Sequence, residues 1–140
     1  MVTNMISNIK FFSGGKAIFT VSNDKGDHYT YRIGRNDEKQ PFFVGLLTGN
    51  NNESDYTYMG LYNPLDNTIR LTKASKYTPD SKPVKVIQWA LSLIAKSKSL
   101  PTGYAIQHQG KCCCCGKPLT TPESVTAGIG PICAEKNGWI

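Results

Sequence analysis

The chain has 140 residues, of which 39% are hydrophobic and 19% charged, and this composition excludes an intrinsically disordered protein. No apolar run is long enough to span a membrane, and the N-terminal residues lack a signal-peptide pattern, so we expect a cytoplasmic protein with reduced thiols. The formal net charge of +6 favours an anionic partner, although basic residues also keep a chain soluble without binding anything.

Apolar runs with strand-like alternation predict five consecutive β-strands in the first half of the chain. Turn-forming stretches such as NDKGD, GNNNESD and NPLDN separate several of them. Because each connection is short, the simplest arrangement is an antiparallel meander. The predicted strands cover residues 16–22, 28–34, 41–48, 56–62 and 68–72.

After residue 80 the apolar spacing changes to that of a helix, and Pro83 suits its first turn. We expect this helix to cover one face of the sheet, which gives an α+β domain over residues 1–103. Residues 104–140 contain too few apolar side chains to fold alone but hold all five cysteines of the chain, which predict a small C-terminal zinc ribbon packed on that domain. The apolar positions that define the helix are Val84, Ile87, Leu91, Ile94 and Ala95.

Cysteines provide the most specific signal in the C-terminal segment. Cys112 and Cys115 have the C-x2-C spacing that points two sulfur atoms at one metal ion, and Cys133 supplies a third thiolate. His108 lies four residues before Cys112 and is the predicted fourth ligand of one structural Zn²⁺. The alternatives for the fourth position are a carboxylate, water, Cys113 and Cys114.

The same segment argues against catalytic chemistry at the metal. Four protein ligands leave no position for a reactive water molecule. The zinc-deaminase pattern of H-x-E with P-C-x-x-C is missing, since Lys111 rather than proline precedes Cys112. We therefore predict a structural metal in a protein that is not an enzyme, with incidental free thiols as the alternative to a metal site.

Charge and aromatic residues predict a binding surface. Residues 70–117 contain nine Lys or Arg and one Asp, which gives +8, whereas the two flanking segments carry −1 each. Aromatic rings that stack bases, beside cations that contact phosphates, form single-strand platforms, but the tyrosines could instead pack beneath the helix. The predicted nucleic-acid-binding residues are Tyr29, Tyr31, Arg32, Arg35, Arg70, Lys73, Lys76, Lys111 and Lys117, with Tyr56 and Tyr58 as further rings.

The stretch GKCCCCGKPLTTPESVTAGIGPIC, residues 110–133, resembles a small zinc-ribbon domain of unknown function that recurs in phage, prophage and plasmid proteins. Upstream stretches such as FFVGLLTG resemble the region that accompanies this domain. The resemblance implies the same four metal ligands and a phage or mobile-element source. In the family, the two residues inside the C-x2-C pair are usually glycine and a basic residue, whereas Cys113 and Cys114 occupy these positions here.

These patterns lead to two functional hypotheses. The first is a non-catalytic, zinc-stabilised accessory protein of a phage or mobile element that binds DNA or RNA through its basic residues. The second is a protein-interaction module that binds a host protein and modulates it, because a basic surface complements an acidic protein surface equally well. Neither hypothesis needs a membrane, and the sequence leaves the oligomeric state open.

Overall fold

A computed structural model describes residues 5–6, 8–51, 54–98, 100–120 and 122–136. These residues form an antiparallel six-stranded sheet with one main helix, which confirms the predicted α+β class. None of the described helices is both long and apolar enough to cross a membrane. The strands are β1 (Lys16–Ser22), β2 (His28–Gly34), β3 (Phe42–Leu47), β4 (Tyr56–Asn63), β5 (Thr68–Arg70) and β6 (Ala105–His108). The helices are α1 (Lys82–Ala95), α2 (Pro122–Ala127) and α3 (Pro131–Lys136), preceded by a short 3-10 helix at Ile9–Ser13.

The strand order in the sheet is β5-β4-β3-β2-β1-β6, so the predicted five-strand meander is confirmed for β1 to β5. The sixth strand was not expected in this sheet. It pairs antiparallel with β1, where Val21 lies opposite Ile106 and Phe19 lies opposite His108. Because α1 separates β5 from β6, the chain crosses from one edge of the sheet to the other. The strand that leads into the cysteines is therefore part of the main sheet.

Helix α1 buries one side against the sheet, and Tyr31 is one of the side chains beneath it. Tyr31 is fully buried, and its hydroxyl donates a hydrogen bond of 2.6 Å to the carbonyl of Pro83 at the start of the helix. The helical spacing was predicted correctly except at its end, where Ala95 is exposed and Ala90 is buried instead. The buried helix residues are Val84, Ile87, Ala90, Leu91 and Ile94.

A bulge between β3 and β4 changes which side chains reach the core. Val44 pairs with Gly60, but the next residue, Gly45, pairs with Tyr58, so Met59 is the extra residue on β4. Met59 is buried, and the shift places Tyr62 in the core opposite Phe42. Strict alternation along β4 would place Leu61 on the same face as Met59, but the bulge reverses the phase of the strand.

The segment after β6 packs against the start of the sheet through backbone hydrogen bonds. Cys113 accepts a 2.7 Å bond from the Lys16 N–H and donates a 3.0 Å bond to the Gly128 carbonyl. Gly14 lies so close that an added Cβ atom would be 2.7 Å from the Cys113 sulfur. Cys112, Cys113, Ile129 and Ala134 consequently share one hydrophobic core with the sheet and α1.

Candidate functional site

Three cysteines from two elements converge beyond β6. The Sγ atoms of Cys112, Cys115 and Cys133 lie within 4.8 Å of one another. Cys112 and Cys115 belong to a tight turn that ends at Gly116, whose φ of +78° suits glycine and whose N–H donates to the Cys112 carbonyl. Sulfur atoms around a tetrahedral zinc ion lie about 3.8 Å apart, since each Zn–S bond is about 2.3 Å. The three thiols are therefore placed to hold a metal ion after a small inward shift.

The surroundings of Cys112 favour a thiolate. Its sulfur accepts backbone N–H groups from Cys114 at 3.4 Å, Cys115 at 3.5 Å and Gly130 at 3.3 Å. Burial raises the pKa of Cys112, but these donors and the Cys115 thiol outweigh burial, so the pKa lies below its ordinary value. Three backbone dipoles thus point at the sulfur that a cation would bind, which fits a metal site.

The surroundings of Cys133 favour its protonated form. Burial, together with the neighbouring thiols of Cys115, Cys112 and Cys114, raises the pKa of Cys133 to about 12. Three thiolates in contact repel one another, and a divalent ion that bound them would displace their protons. Sulfur-rich donor sets of this kind are typical of structural zinc sites.

His108 lies outside the cysteine group and contacts backbone atoms instead. Its Nδ1 accepts a 2.9 Å hydrogen bond from the Gly110 N–H, and its Nε2 donates to the Val125 carbonyl. The ring is buried and stacks on Phe11 with centroids 5.8 Å apart, and burial lowers the pKa of His108 despite the opposing effect of the Val125 carbonyl. A metal bound to either ring nitrogen would displace the hydrogen bond that this nitrogen makes, so the predicted ligand role of His108 would cost at least one of the two bonds.

The two cysteines inside the turn differ from each other. Cys113 is fully buried against Gly14 and joins the tail to β1, so it packs as a core residue. Cys114 is partly exposed, and its thiol hydrogen-bonds with Cys133 beside the metal-binding group. The sequence left both as alternatives for the fourth metal ligand, and nothing local to the sequence indicated the core position of Cys113.

The C-terminal geometry agrees with a family comparison. Residues 105–138 match DUF6011, a family of unknown function. The DUF6011 segment contains β6, the cysteine turn and both short helices, and it includes all three cysteines of the candidate site. Comparisons with curated proteins and with solved structures found no match.

A second candidate site lies on the sheet face that α1 does not cover, here called the open face. Along β2 and β3, side chains alternate between the core and this face. Tyr31 and Val44 are buried in the core, so their sequence neighbours Arg32 and Phe43 lie on the open face. Tyr29 shares the helix side with Tyr31 and packs partly buried on the core. Neither of these predicted nucleic-acid-binding tyrosines lies on the open face, since the Tyr31 ring is buried in the core and the Tyr29 ring is partly buried against it.

Aromatic and basic side chains surround a shallow depression of about 320 Å³ on the open face. Two glycines line the depression at positions where a larger side chain would occupy its space. A Cβ atom on Gly45 would come within 2.9 Å of Tyr56 Cβ, and one on Gly34 would lie 3.5 Å from Arg32 Nε. Among the described residues that line the depression, none is acidic. Its principal side chains are Arg32, Arg35, Gln40, Phe43, Tyr56 and Tyr58.

Two of the predicted arginines extend this basic surface. The Arg35 guanidinium lies 4.2 Å above the centroid of the Phe42 ring and donates a 3.2 Å hydrogen bond to the Glu38 carbonyl. Arg70, exposed on β5, lines an adjoining depression that shares Arg35 and Gln40 with the first. The structure therefore brings Arg32 and Arg35 together and leaves Arg70 nearby.

The remaining predicted cations do not line the depression. Lys73 and Lys76 follow β5, and the Lys76 N–H donates to the Tyr58 carbonyl. Lys111 and Lys117 flank the cysteine turn beyond β6, at the opposite edge of the sheet. The basic segment thus covers both edges and the helix rather than forming one continuous face, because α1 carries the chain across the sheet.

Phe43 is a residue of this surface that the sequence did not predict. The run PFFVGLLT is apolar on both faces, which is typical of a central strand, yet Phe43 is 44% exposed. Glycine at position 45, two residues along the same face, was the available signal, since glycine within a strand often marks a close approach or a bulge.

Proposed function

We propose that the protein is a non-catalytic, zinc-stabilised accessory protein that binds DNA or RNA on the open face of its sheet. One observation carries the proposal: a depression lined by two arginines and three aromatic rings, with no acidic side chain among its described residues. Cations neutralise phosphates and aromatic rings stack on bases, so this combination suits a nucleic acid better than a neutral ligand. The net charge of +6 supports attraction of a polyanion at longer range.

In this proposal one zinc ion has a structural role. Cys112, Cys115 and Cys133 would hold it, and the ion would bind the cysteine turn to helix α3. Because β6 enters this turn directly, the metal would also fix one edge strand of the sheet. The metal would therefore support the nucleic-acid surface from a distance without touching the ligand.

The fourth zinc ligand is tested by a pair of variants. Cys114 already contacts Cys133, whereas His108 must give up at least one backbone hydrogen bond before it can bind a metal. We expect the His108→Gln variant to retain one zinc per chain in native mass spectrometry, whereas Cys114→Ser should bind zinc more weakly in a chelator competition. Loss of zinc from His108→Gln alone, in a chain that stays folded, would instead establish the original histidine prediction.

Nucleic-acid binding is measured with the zinc-loaded chain by fluorescence anisotropy, using labelled DNA and RNA over a range of salt concentrations. Affinity should fall steeply with salt, because binding releases counterions. Arg32→Ala should weaken binding to every sequence and reduce the slope of log affinity against log salt by about 1. Lys25→Ala, in the exposed β1–β2 turn, is the matched control and should have a smaller effect. Absence of binding to either polymer at low salt would refute the proposal.

The zinc-ribbon resemblance supports a phage or mobile-element source for this protein. Within that setting, an accessory protein would act on the nucleic acid of the element or its host. Neighbouring genes provide the direct check, since a gene surrounded by phage or plasmid replication functions agrees with this source and a conserved chromosomal setting contradicts it.

A groove on the helix side favours a second candidate function, binding to a host protein. Trp89 of α1 meets Tyr104 edge-to-face at 5.2 Å, beside Val86 and Pro101, in a groove of about 340 Å³. Exposed aromatic side chains in such grooves commonly anchor protein partners. A pull-down from nuclease-treated host lysate that is lost in Trp89→Ala but kept in Arg32→Ala would favour this function over nucleic-acid binding.

A further inference from the structure

The geometry of the open face points to a base-stacking site that makes the protein select single strands over duplexes. This inference rests on the proposed nucleic-acid-binding function and names the form of nucleic acid that is bound. The base would lie on the exposed ring of Phe43, and Arg32 and Arg35 would contact the neighbouring phosphates.

Phe43 presents its ring to solvent and is held in place from one side. Its centroid lies 6.2 Å from that of Tyr58 on the neighbouring strand, with an angle of 59° between the two rings. The Tyr58 hydroxyl shares a 3.0 Å hydrogen bond with Thr72 Oγ1, which restrains the supporting ring. Rings at this angle leave no parallel slot between them, so a base would stack on the outer face of Phe43 rather than between the two rings.

The depression beside Phe43 has room for about one nucleotide. Its volume of about 320 Å³ is at the lower end of the range of about 300–1,000 Å³ that small-ligand sites occupy. Gly45 forms part of it directly opposite Arg32 across the β2–β3 pair, so no side chain at that position separates Phe43 from the guanidinium. A base on Phe43 would therefore place its own backbone near Arg32.

Donors for the phosphate and for the edge of the base are arranged at the far end of the depression. Arg35 is positioned by its contact with the Phe42 ring. The Gln40 amide oxygen accepts a 3.1 Å hydrogen bond from the Asn36 N–H, which leaves the Gln40 amino group as a donor. Arg35 and Gln40 also line the next depression, towards Arg70, so the strand would continue in that direction.

Selection for single strands follows from the stacking geometry. In a duplex, each base is covered above and below by its neighbours, and only its edges reach the grooves. An unpaired strand can turn the face of a base towards an aromatic ring. A site built on the exposed ring of Phe43 therefore gains little from a duplex, whereas the arginines alone would bind both forms.

The test compares a labelled mixed-sequence DNA strand with its own duplex, using the zinc-loaded full chain and fluorescence anisotropy. We expect the single strand to bind about tenfold more tightly, because stacking of one base is worth about this factor. Phe43→Leu keeps an apolar strand residue but removes the aromatic ring, and it should reduce single-strand affinity about tenfold while duplex affinity stays unchanged. Tyr104→Ala is the matched control, since Tyr104 is also 44% exposed but lies beside Trp89.

Each outcome separates the inference from the proposed function. If the wild-type chain binds neither form, the proposed function fails and the stacking site fails with it. If the chain binds both forms equally, or Phe43→Leu binds single strands as tightly as the wild type, nucleic-acid binding stands and the stacking site is refuted. Thermal unfolding of each variant confirms that a lost affinity reflects the surface rather than the fold.

Discussion

The region of the chain from β1 to α1 has an interior of aromatic and aliphatic side chains, whereas the DUF6011 segment is organised around thiol groups. The first region buries whole rings, such as Phe19 and Tyr31. The second has two six-residue helices and a four-residue strand, and three of its cysteines converge within 4.8 Å. A long meander can stabilise itself by apolar burial, but short elements of this size need a cross-link.

The two regions nevertheless share one interior, and this is what their comparison teaches. Phe11 stacks on His108 and meets Phe19 edge-to-face, so one ring contacts both regions. Cys113 is buried in the same core as α1. The tail therefore packs on the sheet through its own buried side chains as well as through β6. Loss of the thiol group should consequently destabilise the neighbouring part of the sheet.

Cys133→Ser should have the largest effect on the difference between the two regions. Removing one of three thiolates should abolish metal binding. Because the binding free energy of structural zinc contributes to folding, the tail should lose several kcal/mol of stability and unfold. Native mass spectrometry measures the zinc, and hydrogen exchange measures protection in β6 and α3 against protection in β3. Ile132→Ser, one residue earlier and 69% exposed, is the control and should keep both the zinc and the protection. A zinc-free Cys133→Ser chain with a fully protected tail would show that burial alone suffices there.

Gly14→Ala tests the junction between the regions and should have the next largest effect. The added Cβ atom would lie 2.6 Å from the Cys113 carbonyl oxygen and 2.7 Å from its sulfur. Overpacking of this kind costs about 1–3 kcal/mol, which denaturant unfolding would detect. Gly130→Ala is the matched control inside the tail, because an added Cβ atom there meets nothing within 4 Å. Equal stability of the two variants would contradict a tight junction at Cys113.

Tyr31→Phe should affect the meander alone. The change removes the hydroxyl that bonds to the Pro83 carbonyl, and we expect a loss of about 1 kcal/mol in the free energy of unfolding. Zinc content and nucleic-acid affinity should not change, because the ring lies beneath α1. A measurable loss of single-strand affinity in a stable Tyr31→Phe chain would mean that this tyrosine reaches the binding surface after all.

Alkaline pH should destabilise the meander only above about pH 10. Burial, helped by the Asp66 carboxylate, raises the pKa of Tyr62 from 10.0 to about 12. Because the pKa of Tyr62 is raised in the folded state, the stabilising contribution of its neutral hydroxyl is complete below pH 10 and is lost as the pH rises towards 12. Tyr62→Phe should flatten this part of the stability curve, as thermal unfolding at several pH values would show.

Acid should act first on the tail instead, since protons compete with zinc for the thiolates.

Much of the fold follows from short-range patterns. Turn residues separate β1 to β5, and helical spacing locates α1 to within one turn of its observed ends. The C-x2-C spacing identifies Cys112 and Cys115, and Cys133 completes the group as predicted. Each of these features depends on residues that are close in sequence, or on a spacing that only metal binding commonly requires.

Other features could not be predicted because they depend on distant contacts. The partner of β6 is β1, more than eighty residues earlier in the chain. The bulge at Met59 depends on the register between β3 and β4, and alternation within one strand cannot reveal it. The hydrogen bond from His108 to the Val125 carbonyl depends on where α2 lies after the tail has packed.

The sequence by itself determined strands β1 to β5, the main helix and the three cysteines that can hold a metal, because local spacing and donor chemistry specify them. Only the tertiary structure decided which face of the sheet α1 covers. That choice buries Tyr31, partly buries Tyr29 and leaves Phe43 and Arg32 on the open face. Alternation along a strand divides side chains into two sets, but only packing against a second layer determines which set meets solvent.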